Sequence, residues 1–438
     1  MFNKFFGFFQ DKLNFLYENS ILLQNTDRFI FVFILLTFAG SVFMSSDAVG
    51  FLAIIVIFLT LVKMLFKKGE VIEFKNFEIW LIAYFMIVLI SLFGSTLFAL
   101  SLRGFFKTFI YIGFYFSVVQ YLKHNKNRIF WILSAIALCT AYESTAGFMQ
   151  TFSHPAAIST WQDTSRLNPE DVISRVYGTL KPLNPNLLGG YLAGGLPAVL
   201  GFVFYFAYRK HYKSALTVLA FSLVSVYTIF QTGCRGAYLA LILIFACVFL
   251  LSVKFFWRNY KRLYIALISS ITALFTLVLT LVNSLRLRFL SIFAMRGDSS
   301  NSFRFNVYQS SIEMLKDNWL LGIGTGSRNF REIYGLYMKT GFDALSTYNI
   351  YLETAVESGI FALIAFLGFL FILSKDAVKF IFCSDNTPQV IFVSISAVSI
   401  WAVMFHGLVD TIYFRPQLQF MFWTFAAVIS VLAPSKTA

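Results

Sequence analysis

Apolar runs of membrane length, separated by short polar turns, repeat along this chain from about residue 29 to its end. A helix needs about 20 apolar residues to cross the roughly 30 Å hydrocarbon layer of a bilayer, whereas a soluble surface helix shows only a one-sided apolar stripe. The pattern predicts an all-α polytopic membrane protein with about twelve transmembrane helices. Their limits fall near 29–45, 48–66, 79–99, 104–122, 129–150, 186–208, 214–232, 236–253, 263–284, 347–374, 389–408 and 416–434. Residues 1–28 mix Phe and Leu with Lys and Asp and lack a signal-peptide cleavage pattern, which reads as an interfacial helix. Two polar intervals are too long to be turns, Thr151–Pro185 and the segment before residue 347. The division that follows is an interfacial segment 1–28, spans one to nine over 29–284, a partly helical loop or cap over 285–346, and spans ten to twelve over 347–438. Within the cap, SSIEMLKDNW has the period of a short amphipathic helix and GIGTG breaks it.

Composition agrees: 58% of the 438 residues are hydrophobic and 13% charged, and 55 Phe and 21 Tyr suit lipid contact and interfacial anchoring. The net charge of +14 is therefore read as a membrane-topology signal and not as a nucleic-acid footprint. With the N-terminus in the cytoplasm, the inner loops hold Lys63, Lys67, Lys68 and Lys75, then Lys123, Lys126 and Arg128, then Arg209, Lys210 and Lys213, then Lys254, Arg258, Lys261 and Arg262, then Lys375 and Lys379. Every inner loop is basic, which predicts both termini inside. The inner basics are mostly Lys. The outer ones are mostly Arg: Arg103, Arg166, Arg175, Arg235, Arg286, Arg288, Arg296, Arg304, Arg328, Arg331 and Arg415. Lysine is a solvated point charge, whereas a guanidinium presents a planar fork suited to phosphate or carboxylate. The four cysteines have no CxxC or metal-ligand spacing.

Several polar groups fall on the predicted outer side. Arg235, in QTGCRGAYLALIL, stands where one span ends and the next begins, and a charge there needs a partner or a cavity. Arg304 follows Ser299, Ser300 and Asn301, which are candidate N-caps, so a helix N-terminus and a guanidinium combine as an anion cradle. GIGTGS at 322–327 has neither P-loop nor dinucleotide-binding spacing and reads as a turn needing positive φ, with a backbone anion nest as the other reading. Glu353 and Glu357 are spaced i, i+4, as are His406 and Asp410, with Arg415 close behind. Pairing of these carboxylates with Arg235, Arg304 or Arg415 and acid–base work both remain open. Together with the NPN turn at Asn184–Asn186, these groups predict one outward-facing polar cavity beneath an Arg-rich cap.

Three segments resemble the O-antigen ligase and O-antigen polymerase superfamily of bacterial membrane proteins: NPNLLGGYL, CRGAYLALIL (similar to the family's Ser-Arg-Gly motif) and NIYLETAVESGIFALIAFLGFLF. SRVYGTL with NPN, LRLRFLSIFAMRGDSSNSFRFNVY and HGLVDTIYFRPQLQ resemble, more narrowly, a cyanobacterial branch labelled as bicarbonate (inorganic carbon) transport. The superfamily resemblance implies a GT-C-like transferase that moves a glycan from a polyprenyl diphosphate at the periplasmic face, with Arg235 and Arg304 holding the diphosphate. Ligases carry a His just before the Asn that opens the helix after the long loop; here that position is Tyr348. A phenol with a pKa of about 10 is a poor base at neutral pH, so His406, Asp410 or Glu353 is the candidate replacement.

The leading expectation is a metal-independent glycosyltransferase in the bacterial inner membrane, with no cofactor. Its site has His406, Asp410, Glu353 and Tyr348 as catalytic candidates, and Arg235, Arg304 and Arg415 as diphosphate ligands. The partners implied are an undecaprenyl-diphosphate-linked glycan donor, a lipid or glycan acceptor and membrane lipids. A solute transporter is a second reading, though no internal repeat of the kind transporters show is visible. A non-catalytic lipid-glycan binding protein is the third.

Overall fold

The computed structural model describes residues 2–70, 73–153, 175–281, 286 and 299–433. It is built of helices. Two lie ahead of the bundle, α1 (Phe2–Asn19) and α2 (Ile21–Gln24). α1 is tied to the bundle by Lys68, whose Nζ is 2.6 Å from Asp11 and whose backbone N–H donates to Asn14. There follow α3 (Thr26–Phe43), α4 (Ser46–Phe66), α5 (Asn76–Gly94), α6 (Phe98–His124), α7 (Ile129–Ser153), α8 (Pro185–Tyr208), α9 (Tyr212–Thr232) and α10 (Arg235–Leu281). After these come α11 (Ser299–Asp317), α12 (Ser327–Tyr334), α13 (Ile350–Ser358), α14 (Ile360–Cys383), α15 (Thr387–His406) and α16 (Pro416–Leu432).

Ten helices among the described residues are long and apolar enough to cross a membrane, so the chain is a multi-pass membrane protein. The count differs from twelve for local reasons. Residues 253–263 contain neither Gly nor Pro, so nothing interrupts the helical hydrogen-bond ladder and α10 continues past its membrane-length portion, Arg235–Lys254. The run at 347–374 is cut at Gly359, whose φ of +84° ends α13 and starts α14 in a new direction. α16 starts at Pro416 as expected, after turns and a short 3-10 turn at Ile412–Phe414, but with 17 residues it is among the shorter apolar helices.

α8, α15 and α16 are buried along most of their length and make the centre of the bundle. α3 to α7, α9, α10 and α14 surround them, with exposed Phe and Leu such as Phe51, Phe58, Phe93, Leu216 and Phe371 turned outward toward lipid. The two ends of the bundle differ. One carries the cap, in which α11 and α12 enclose a core of their own made of Val307, Met314, Ile323, Phe330, Tyr334, Ala344 and Val356. α11 begins at Ser299, well before the amphipathic stretch read in the sequence, so Asn301 lies inside its first turn and not ahead of it.

The opposite end carries the lysine-rich loops. Not all of those lysines are solvated. Lys63 is 1% exposed and lies 2.8 Å from Asp27 and 3.4 Å from Glu70. Glu70 also meets Lys67 at 2.9 Å, His124 at 3.0 Å and the Gln120 amide. Burial pushes the Glu70 carboxyl up, but the hydrogen bond from Lys67, the charges of Lys63 and His124 and the bond from Gln120 outweigh it and hold it down at about 2.

Candidate functional site

Three helix N-termini meet on the cap side, those of α8, α10 and α13, beside α11. The partial positive charge at each favours an anion. Asn184 caps α8, accepting from the N–H groups of Asn186 and Leu187, and Pro185 takes the first helical position. Asn349 caps α13 in the same way through Tyr351 and Leu352, while its amide donates to the Leu408 carbonyl. The Ile350 N–H donates to the Gly407 carbonyl, which pins α13 to the turn after α15.

Arg304 and Asp410 lie at the centre of this meeting. The Arg304 guanidinium is 3.6 Å from Asp410 Oδ2, and the two side chains are 19% and 9% exposed. The same guanidinium stands over the Tyr348 ring, 5.7 Å from its centroid. Asp410 is held from two further directions. Asn186 donates its amide to Oδ2 at 3.2 Å, and the Thr411 N–H donates to Oδ1 at 2.7 Å. Asn186 is itself oriented by Arg175, whose guanidinium donates to its Oδ1 and to the Thr232 carbonyl. Arg235, the first residue of α10, donates to Asn301 Oδ1 at 3.0 Å and so joins the start of α10 to the first turn of α11.

Tyr348 is one of two non-glycine residues with positive φ among the described residues, at +55°. An aromatic residue rarely adopts that conformation. Its carbonyl accepts from the Tyr308 hydroxyl, and its ring meets Phe303 edge-on at 5.9 Å. Burial, and then the charge of Asp410, push the phenol up to about 12 against the pull of Arg304. The phenol therefore stays protonated and can donate a hydrogen bond, but it is no base.

The remaining candidates are used otherwise. Glu353 is buried and accepts from the backbone N–H and hydroxyl of Thr347. Glu357 accepts from the Gly326 N–H at 2.8 Å. Burial raises both carboxyls toward the neutral form. Neither pairs with an arginine among the described bonds; both hold loops in place. His406 is 1% exposed and its Nε2 lies 3.3 Å from the Cys234 sulfur, behind the Arg304–Asp410 pair. Burial, and next the charge of Asp410, push the Cys234 thiol up to about 11. α15 ends at His406, so Asp410 follows in turns and the two are not an i, i+4 pair on a helix. Arg415 is exposed at the head of α16, with no hydrogen bond or ion pair to the central cluster among the described residues.

The GIGTG segment is a turn. Gly322, Gly324 and Gly326 all have positive φ. The N–H groups of Ile323, Gly324 and Thr325 donate to the Val356 carbonyl, the Glu357 carbonyl and Ser101 Oγ. With Gly326 committed to Glu357, no anion nest is left. Arg166, Arg288 and Arg296 lie outside the described residues. Among the described residues, no group of three His, Cys, Asp or Glu side chains is placed to hold a metal ion.

Residues 220–367 match the family model of the O-antigen ligase domain. That stretch contains Arg235, Arg304, Tyr348 and α13, while Asn186, Arg175 and Asp410 lie outside it. The match supports the O-antigen ligase superfamily and a ligase-like part in glycan assembly. It gives no support to the inorganic-carbon branch. No curated protein matches the chain.

Sequence reading passed over Asn186 and Arg175 as site members, naming one only as part of a turn and the other only as an outer cation. Their signal was the Asn-Pro-Asn turn itself, in which one Asn caps α8 and the other is left free to reach Asp410. Two glycines were also missed. A Cβ on Gly236 would stand 2.7 Å from His406 Nε2, and one on Gly190 would stand 1.5 Å from Ile412 Cδ1 and 3.4 Å from His406 Cε1. They let α8 and α10 close on His406 and the 3-10 turn.

Proposed function

We propose that this chain is a membrane glycosyltransferase of the O-antigen ligase or polymerase type. It would move a glycan from an undecaprenyl diphosphate carrier to an acceptor hydroxyl at the periplasmic face of a bacterial inner membrane, with both its termini in the cytoplasm. The observation that carries this reading is the Arg304–Asp410 pair among the N-termini of α8, α10 and α13. At 3.6 Å it is an ion pair longer than a hydrogen bond, so a diphosphate can draw the guanidinium away and leave the carboxylate free.

In this mechanism Arg304, with Arg235 beside it, holds the diphosphate and takes up the charge that grows on it as the bond from the anomeric carbon to the diphosphate oxygen breaks. Asp410, released from Arg304 and still oriented by Asn186, accepts the proton of the acceptor hydroxyl as its oxygen bonds to that carbon. The Tyr348 ring keeps Arg304 in plane. The lipid diphosphate leaves with the electron pair of the broken bond.

The test is release of undecaprenyl diphosphate by the reconstituted protein given a lipid-linked glycan and an acceptor, with Arg304→Ala and Asp410→Asn beside the wild type. Release by the wild type, and its loss in both variants with normal membrane insertion, supports the reading. Binding of the donor by the wild type without release across a panel of donors overturns it in favour of a non-catalytic binding protein.

A further inference from the structure

The cap is fastened to the bundle at a second place, away from Arg304. α11 ends at Asp317, and residues 319–321 (Trp, Leu, Leu) form a turn closed by the Gly322 N–H, which donates to the Asn318 carbonyl at 2.8 Å. This turn lies on the ends of α5 and α14, which pack side by side through Phe77 with Phe369 and Tyr84 with Phe366. The N–H of Ile360, first residue of α14, donates to the Trp319 carbonyl at 2.9 Å. Gly359 passes so close to the turn that a Cβ there would stand 2.1 Å from the Leu320 carbonyl oxygen. A Cβ on Gly94, last residue of α5, would stand 3.0 Å from Leu321 Cβ. The turn therefore covers the ends of two helices long and apolar enough to cross a membrane.

Leu321 is half-buried against Gly94, but Trp319 and Leu320 are 52% and 49% exposed. A single exposed apolar side chain is ordinary on any surface, whereas a contiguous set marks a contact. Here the set runs on from the flank of the bundle. The Trp319 ring lies 6.4 Å from that of Phe361, and Phe361, Ile364, Leu367 and Phe371 are exposed in succession along α14. On the neighbouring helix Phe93, just before Gly94, is exposed, and its ring lies 6.5 Å from exposed Phe98 at the head of α6. Lys316 and Asp317, directly ahead of the turn, are exposed and charged. The surface thus changes from charged to apolar within three residues. Tryptophan, with an apolar body and one polar N–H, suits such a boundary between water and lipid.

We propose that the turn at 319–321 is a membrane anchor of the cap. Trp319 and Leu320 enter the boundary between headgroups and acyl chains of the cap-side leaflet, so the partner of this surface is the phospholipid bilayer. The occupant is lipid and not another protein because the patch has no edge of its own. It continues, past the helix ends, the apolar surface that the spans present to lipid. The anchor also bears on the site. α11 carries Arg304 near its start, where Arg235 bonds to Asn301, and leads into the anchor at its end. Bundle and bilayer thus hold the two ends of the helix that presents Arg304.

The test is collision EPR on the purified full chain in phosphatidylcholine vesicles, with a nitroxide on Trp319→Cys or Leu320→Cys in a Cys139→Ser, Cys383→Ser background. Phe371→Cys is the lipid reference, and Arg328→Cys, exposed on the cap, is the aqueous one. Oxygen gathers in hydrocarbon and nickel-EDDA in water. At both turn positions the oxygen-to-nickel ratio shifts away from the Arg328→Cys value to that of Phe371→Cys. A nitroxide is itself apolar, so the native ring is read as well. Lipid carrying a doxyl group near its headgroup quenches a smaller share of the tryptophan emission in Trp319→Phe than in the wild type. Ratios at both positions matching Arg328→Cys, or quenching unchanged by Trp319→Phe, overturn the anchor and leave the patch to a protein partner. None of these readings depends on glycan transfer, so failure of the proposed function leaves the anchor standing.

Discussion

Tyr348 takes the place of the histidine that the resemblance calls for, and its backbone and ring explain what it does there. Its left-handed φ of +55° carries a strain of order 1–3 kcal/mol that the surrounding contacts must hold. What it secures is a ring beneath Arg304. Tyr348→Phe keeps that ring and loses only a hydroxyl that stays protonated, so transfer falls less than about tenfold, whereas Tyr348→Ala removes the ring and costs far more. Comparable loss in both variants would make the hydroxyl the working group. On the proposed mechanism Arg304→Ala takes away the guanidinium that would face the leaving diphosphate, and transfer drops by about 10² or more, as for loss of one charge-stabilising donor elsewhere. Arg304→Lys keeps the charge without the fork and falls between. Initial rates of carrier release read all four variants. Arg304 and Asp410 were both legible in the sequence, because a charge beside a membrane span demands a reason. Pairing of Asp410 with Arg304 was one of the readings left open; that His406 does not share a helix face with Asp410 was not legible, because it depends on α15 stopping at His406.

At the scale of elements, the site exists because helices end in the right place and approach closely. The Asn-Pro-Asn cap of α8 and the Asn cap of α13 could be read from residue type, since each is a good N-cap before an apolar run. The close approach of α10 to His406 could not, because one glycine among 25 does not announce what it touches. Gly236→Val places new carbon within 3 Å of the imidazole and shifts the start of α10, with Arg235 on it. The expected cost is about 1–3 kcal/mol, together with a loss of donor binding larger than the change in melting temperature accounts for. Melting by intrinsic fluorescence beside a binding titration separates the two effects. On the opposite side, Glu70 ties the end of α4 to α6 through Lys63, Lys67, Gln120 and His124. Its carboxyl is held at about 2, below the ordinary value of 4.5, so its contribution is fully present above pH 4.5 and is lost as pH falls from there toward 2. In detergent, the wild type therefore loses more of its melting temperature between pH 6 and pH 3 than Glu70→Gln, whose curve is lower at pH 6 and flatter below it. Parallel curves would mean that Glu70 is not the linked group.

For the molecule as a whole, span identity was readable from hydropathy, but helix breaks were not, because hydropathy does not show where a helix stops. It takes the absence of Gly and Pro at 253–263 to see that α10 runs on, and Gly359 to see that α13 and α14 are two helices. Side, by contrast, is a proposal argued from charge. The lysine-rich ends of α4, α6 and α14 share one face of the bundle, and Arg235, Arg304 and Asp410 share the other, under the cap. Positive-inside bias is the ground for our proposal that the lysine end is cytoplasmic and the site periplasmic. A native probe tests this. Cys383, at the end of α14, is exposed, while Cys234 and Cys247 are buried and Cys139 is half-buried. Arg328 on α12 is exposed on the cap. In spheroplasts, a membrane-impermeant maleimide labels Arg328→Cys at once and reaches Cys383 only after the membrane is opened. The reverse order would place the arginine pair in the cytoplasm, where no undecaprenyl-linked glycan awaiting periplasmic transfer would meet it. The transferase reading would then fail on topology alone, whatever the geometry of Arg304 and Asp410.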